Sequence, residues 1–155
     1  MTSITRSGMI RAFAGLAAGL FAASRVEAQS GKPHRIVIQV DQNEPEVMNL
    51  ALNNARNVLD YYRDKHEDAD VEIVAYGPGL HMLRDDTSPV KDRIKELVEV
   101  SFPSKIAFSA CNNTKQGMEK REGHPITIIP QAKIVPAGVV RIVELQEQGY
   151  SYVRP

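Results

Sequence analysis

Tryptophan is absent from this 155-residue chain, cysteine occurs once, and aromatic side chains make up 6% of it. So few rings provide no base-stacking platform for single-stranded nucleic acid. A lone cysteine cannot close an internal disulfide, and with four scattered histidines it forms no zinc-ligand set. Neither sign of charge predominates, with 19 basic residues against 19 acidic ones. Phosphate backbones require a basic surface, so nucleic acid is not an expected partner. Dinucleotide and phosphate-loop glycine motifs are missing, as is the G-x-S-x-G elbow of serine hydrolases. These patterns predict no cofactor and no metal.

What is present begins with a distinctive leader. Arg6 and Arg11 precede Ala12–Ala23, twelve uncharged and mostly apolar residues, and no acidic residue occurs before Glu27. As a helix that stretch would span about 18 Å, short of the ~30 Å hydrocarbon core. Ala and Leu fill every side of it, which leaves no polar face for an amphipathic core helix. Val26 and Ala28 supply the small residues of a cleavage site, so residues 1–28 are expected to be a secretory signal peptide. Arg6 and Arg11 are not adjacent, which argues against a twin-arginine signal. The mature domain is then 29–155, periplasmic or secreted, with no membrane span after cleavage and a charge near neutral. Export also places the lone cysteine in an oxidising compartment.

Along the mature chain, strands and helices alternate. His34–Val40 is a β-branched apolar run that predicts a strand. Pro45 suits a first helical turn, and Val47, Leu50, Ala51, Ala55, Val58, Leu59 and Tyr62 form one apolar face of a helix from Glu46 to about Arg63. Val71–Tyr76 predicts the second strand, stopped by Gly77-Pro78-Gly79. Ser88-Pro89 is expected to start a helix with Val90, Ile94, Leu97 and Val98 on its inner face. Lys105–Ala110 predicts a third strand with Cys111 at its end, followed by a polar helix from about Asn113 to Arg121. Ile126–Ile129 and Lys133–Val135 read as two short extended pieces around Pro130. Gly138–Gln148 predicts a last helix capped by Gly149, and Tyr150–Val153 a final strand. This order implies an α/β fold, a three-layer α/β/α sandwich on a mainly parallel five-stranded sheet. Continuously apolar strands agree, because both faces of such a sheet are covered.

Ligands of open parallel sheets bind beyond the carboxyl ends of the strands. Three segments should collect there: Asp41-Gln42-Asn43, Gly77-Pro78-Gly79 and Cys111-Asn112-Asn113-Thr114. Cys111 is the one strong nucleophile among them. Between a strand end and a helix start, unpaired amides and the helix dipole favour thiolate over thiol. Asn112, Asn113 and Thr114 are candidates to cap the helix and to donate hydrogen bonds to a bound anion or persulfide. Gly77 and Gly79 are candidates for positive φ or close chain approach beside the site. His81 follows the glycine loop and is a weaker candidate base. Free cysteine is also among the most buried residue types, and Cys111 after Phe108 and Ala110 could simply finish a core strand. The residues alone leave both roles open. Asn53, Asn54 and Asn57 form a polar patch suited to capping a loop or lining an interface.

The segments Ala51-Leu52-Asn53-Asn54-Ala55-Arg56-Asn57, Val74–Leu80, Ala110–Thr114, Val135–Val139 and Leu145–Val153 resemble the DsrE/DsrF-like family, in its YchN-like branch, over about residues 35–155. The resemblance implies a five-stranded parallel sheet between helices and assembly as trimers or hexamers. It also implies that Cys111 carries a persulfide between a sulfur donor and an acceptor protein. The expected function is therefore an exported sulfur-handling protein. The alternative is a non-catalytic small-ligand or partner-binding oligomeric module with a structural cysteine.

Overall fold

The computed structural model describes residues 31–155, so the leader expected at 1–28 lies outside the described residues. Five strands form one sheet: β1 His34–Val40, β2 Ala69–Ala75, β3 Lys105–Cys111, β4 Ala132–Val135 and β5 Ser151–Val153. Their order is β4-β3-β2-β1-β5, and every pairing is parallel. The helices are α1 Pro45–Asp64, α2 Lys91–Val100, α3 Asn112–Glu122 and α4 Gly138–Glu147, with a 3-10 segment at Gly77–Leu83. The protein is an α/β sandwich, as the alternation of elements requires.

The chain steps outward from β1 to β4 and then returns across the sheet to place β5 beside β1. The outward connections lie on one face and the return crossing on the other. On the first face Met48, Leu52, Ile94 and Met118 meet Ile38, Ile73 and Phe108 in the main core. On the second, α4 packs Ile142 and Leu145 on Val37 and Val74. Among the described residues, no helix is long and apolar enough to cross a membrane.

Several expectations are corrected in detail. The buried stripe of α1 is Met48, Ala51, Leu52, Ala55 and Leu59, while Leu50 is 45% exposed. Both stripes have helical period, and only the position of the sheet selects between them. Helix α2 starts at Lys91 rather than at Ser88-Pro89. Ser88 Oγ instead donates to the Met82 carbonyl at 2.5 Å, which ties the preceding turn down. Val98 faces outward. Ile126–Ile129 does not join the sheet. Flanked by Pro125 and Pro130, it makes one antiparallel bridge, Arg84 with Ile128. The glycine loop is not open but wound into the 3-10 segment, a helix that glycine and proline content conceals.

The end of α4 matches expectation. Gly149 has φ +87°, and Tyr150 N–H returns to the Leu145 carbonyl at 3.0 Å, a glycine-terminated cap. Helix α3 ends similarly at Gly123 (φ +75°). It is held in place by Arg84, which is 2% exposed and bonds Asp86 and Glu122 at 2.6–2.9 Å. The asparagines of α1 divide. Arg93 of α2 donates to both Asn49 and Asn53, and Arg56 pairs with Glu96 at 2.7 Å. That part of the polar patch is a helix–helix seam.

Candidate functional site

The site grows from the end of β3. Cys111 is the last residue of the strand and the N-cap of α3, with φ −68° and ψ 117°. In that position its side chain turns back over the first turn of the helix, where a cap normally accepts an orphan amide. Sγ does so, accepting from Thr114 N–H at 3.4 Å. Thr114 Oγ1 accepts the Gly77 N–H at 2.9 Å, which leaves its own hydroxyl hydrogen for the sulfur. Gly77 holds φ +53°, a left-handed conformation that glycine adopts without a side-chain clash as the chain turns into the 3-10 segment. Cys111, Thr114 and Gly77 are thus one connected group.

A second helix starts beside it. The return crossing from β4 starts α4 beside the end of β3, since Cys111 pairs with Val135 and α4 begins three residues later. The Gly138 amide of α4 and the Asn113 amide of α3 lie near enough to favour a negative charge on the sulfur, whereas the hydrogen bond to Sγ itself comes from Thr114 N–H. Asn113 N–H also meets the Pro136 carbonyl at 3.3 Å. Burial pushes the Cys111 thiol up. The Thr114 hydroxyl and its hydrogen-bonded amide, with the Gly138 and Asn113 amides nearby, outweigh that, so its pKa lies below the ordinary thiol value. The residue is 5% exposed, so little of it meets solvent.

Gly138 is required by space. A Cβ there would lie 2.8 Å from Tyr76 Cβ and 3.0 Å from its Cδ1. The missing side chain of Gly138 therefore lets the amide end of α4 come close against Tyr76. Burial, first, and the nearby Asp41 carboxylate raise the Tyr76 pKa, so the phenol stays neutral. Arg154 lies 3.3 Å from Asp41 on the same side. Gly79 serves packing rather than the thiol: a Cβ would sit 2.3 Å from the Val40 carbonyl oxygen, so only glycine lets the 3-10 segment cross the end of β1.

Next to the thiol, a groove of about 450 Å³ runs between the 3-10 segment and α3. Asn43, Gly77, Pro78, His81, Asn113, Thr114, Gly117, Met118 and Arg121 line it. Thr114 is thus the wall between groove and sulfur. Asn113 opens onto the groove, whereas Asn112 is half-buried at the first helical position and does not line it. His81 belongs to the groove, with Nδ1 bonded to Thr87 Oγ1 at 2.8 Å.

Sequence reasoning located Cys111, Asn113, Thr114 and Gly77 but missed Gly138, Tyr76 and Arg121. Gly138 follows Pro136-Ala137 at a helix start, a pattern that signals a close backbone approach once a neighbouring strand end is known. Arg121 carries no local signal. A buried cluster on the α4 face was also missed. Glu72, 4% exposed, accepts from Ser109 Oγ at 2.5 Å, from Arg141 Nε and Nη2 at 2.8 Å and from Lys133 Nζ at 3.2 Å. Burial raises the Glu72 pKa, and the bonds from Arg141 and Ser109 with the Lys133 charge bring it below the usual carboxylate value.

No protein-family model and no curated protein matches the chain. Among solved structures it is similar to a protein of unknown function, MTH1491 from Methanobacterium thermoautotrophicum. The two share 28% identity and a TM-score of 0.66, covering 79% of this chain and 99% of that one. That likeness supports the α/β fold and brings no activity with it.

Proposed function

We propose that this chain is an exported sulfur-handling protein of the DsrE/DsrF-like kind, in which Cys111 accepts a sulfane sulfur and relays it to a partner protein. One observation carries the reading: Cys111 Sγ caps the start of α3, accepting the Thr114 N–H at 3.4 Å, with the start of α4 packed beside the same strand end. In the acceptor step the Cys111 thiolate attacks the outer sulfur of a donor persulfide, R–S–SH. A new S–S bond forms at Cys111, the donor S–S bond breaks, and its electron pair leaves with R–S⁻. The proton stays on the transferred sulfur, so no outside oxidant is needed. In the relay step a partner's thiolate attacks the outer sulfur of the protonated Cys111 persulfide, the S–S bond at Cys111 breaks, and the same amides stabilise the Cys111 thiolate as it leaves. With no second cysteine in the chain, release as an internal disulfide is excluded.

Polysulfide treatment is the direct test. The protein is expected to gain about 32 Da, and Cys111→Ser to gain nothing. Thr114→Val, which removes the hydroxyl donor, should slow alkylation of Cys111 by iodoacetamide at neutral pH about fivefold, the worth of one hydrogen bond. Labelling of the unaltered protein no faster than a model thiol would refute the activated thiolate.

The 5% exposure of Cys111 favours a second reading, a ligand- or partner-binding module in which the cysteine is structural. Cys111→Ala would then preserve binding. Homo-oligomerisation fits either reading, and its support is the outward face of α4 with the β4 edge. Val139, Val140, Val143 and Ile134 are each at least half exposed there. Sedimentation at micromolar concentration should show trimers or hexamers, and Val140→Glu should release smaller species.

A further inference from the structure

The groove beside Cys111 has chemistry that the thiol does not use. Its lining holds a guanidinium, Arg121, an imidazole, His81, and two carboxamides, Asn43 and Asn113, with no carboxylate. Glu122, the acidic neighbour of Arg121, is occupied by Arg84 at 2.7 Å and by His124 at 3.5 Å. Among the described residues Arg121 enters no ion pair.

Gly117 makes a separate case. It sits in the interior of α3, where glycine costs about 1 kcal/mol relative to alanine. Its φ is not in the left-handed region, and a Cβ there would approach nothing closer than Arg121 Nη1, at 3.9 Å. Neither turn geometry nor core packing therefore requires glycine. What the missing side chain does is leave the groove floor open beneath the guanidinium.

The donors present also select the ligand. The amides near the start of α3 are already engaged: Thr114 N–H by Cys111 Sγ, Asn113 N–H by the Pro136 carbonyl and Gly77 N–H by Thr114 Oγ1. A phosphate cradle needs several such amides free. Here the positive charge comes instead from a planar guanidinium fork, which matches a carboxylate through two parallel bonds.

We propose that this groove binds a small organic carboxylate, with its carboxylate on Arg121 and His81 and its other polar groups on Asn43 and Asn113. Met118 and Pro78 form apolar walls, and the volume suits a metabolite-sized molecule. The assignment needs no reaction at Cys111 and stands or falls apart from sulfur transfer.

The test is a titration of the isotope-labelled protein, followed by amide NMR, with succinate, glutamate and inorganic phosphate as probes. The two carboxylates should produce saturable shifts at Asn43, Gly77, Asn113 and Gly117, and phosphate none at the same concentration. Arg121→Gln, an exposed site whose change spares the core, should weaken binding at least about tenfold. Arg121→Lys should fall between, and Lys120→Gln, an exposed neighbour on α3 outside the groove lining, should bind as the unaltered protein does. Shifts spread over the surface, affinity unchanged in Arg121→Gln, phosphate competing equally, or an equal loss of binding in Lys120→Gln would each overturn the assignment.

Discussion

Beneath α1, α2 and α3 the sheet presents Ile36, Ile38, Val71, Ile73 and Phe108, whereas beneath α4 the same strands present Val37, Gln39, Glu72, Val74 and Ser109. Successive strand residues point to opposite faces, so adjacent positions belong to different chemical worlds. The first face is covered by three helices and its buried sheet positions are apolar, while the buried Arg84 belongs to the covering layer beside α3. The second is covered by one helix and holds a carboxylate with three polar partners, plus a Tyr152–Gln39 bond at 2.7 Å. The contrast assigns stability mainly to the first face. The second keeps a polar interior, a half-exposed valine ridge and the thiol at its upper end. Cys111 lies where the two meet, between the helix starts of α3 from one face and α4 from the other.

Three substitutions test that division. Phe108→Ala, at a residue 1% exposed in the larger core, should cost about 3–5 kcal/mol in denaturant unfolding. A loss below 1 kcal/mol, on the order of a surface change, would mean that the apolar face does not dominate. Glu72→Gln should cost less, about 1–3 kcal/mol at neutral pH, because Lys133 is half exposed and can return to water. Its sign with pH follows from the lowered folded-state pKa. The carboxylate's contribution is complete above the unfolded value, about 4.3, and disappears as pH falls through the lower folded value. The gap between Glu72→Gln and the unaltered protein should therefore close in acid. A gap independent of pH would show that the charge contributes nothing.

Gly138→Ala should cost about 1–3 kcal/mol, because a Cβ 2.8 Å from Tyr76 Cβ forces the two elements apart. Its more specific effect should appear at the sulfur. Moving the α4 amide away raises the Cys111 pKa and slows alkylation at neutral pH. Unchanged alkylation would remove α4 from the site and leave α3 as the sole source of stabilisation.

Much of this fold was legible in the chain. Short β-branched runs alternating with helical periodicity specify a parallel α/β sheet, and Gly149 marks a helix end by itself. Boundaries near proline and glycine were less so. The 3-10 segment and the late start of α2 depend on Ser88 reaching the Met82 carbonyl, a contact between turns. The exposed Leu50 and buried Met48 show the same limit, since periodicity gives the spacing of a stripe but not which way it faces.

For the site, local pattern was enough to single out a cysteine at a strand end with cap-forming residues after it, because capping acts within four residues. Whether a second helix would start beside that sulfur was decided by the return crossing of α4, a topological event 27 residues downstream at Gly138. The same holds for Glu72, whose partners Ser109, Lys133 and Arg141 lie on three other elements. Short-range hydrogen bonding and side-chain periodicity are properties of neighbouring residues, so the sequence by itself determined the elements and the cap. Electrostatic environment is a property of what packs together, and for Cys111 and Glu72 only the tertiary structure decided it.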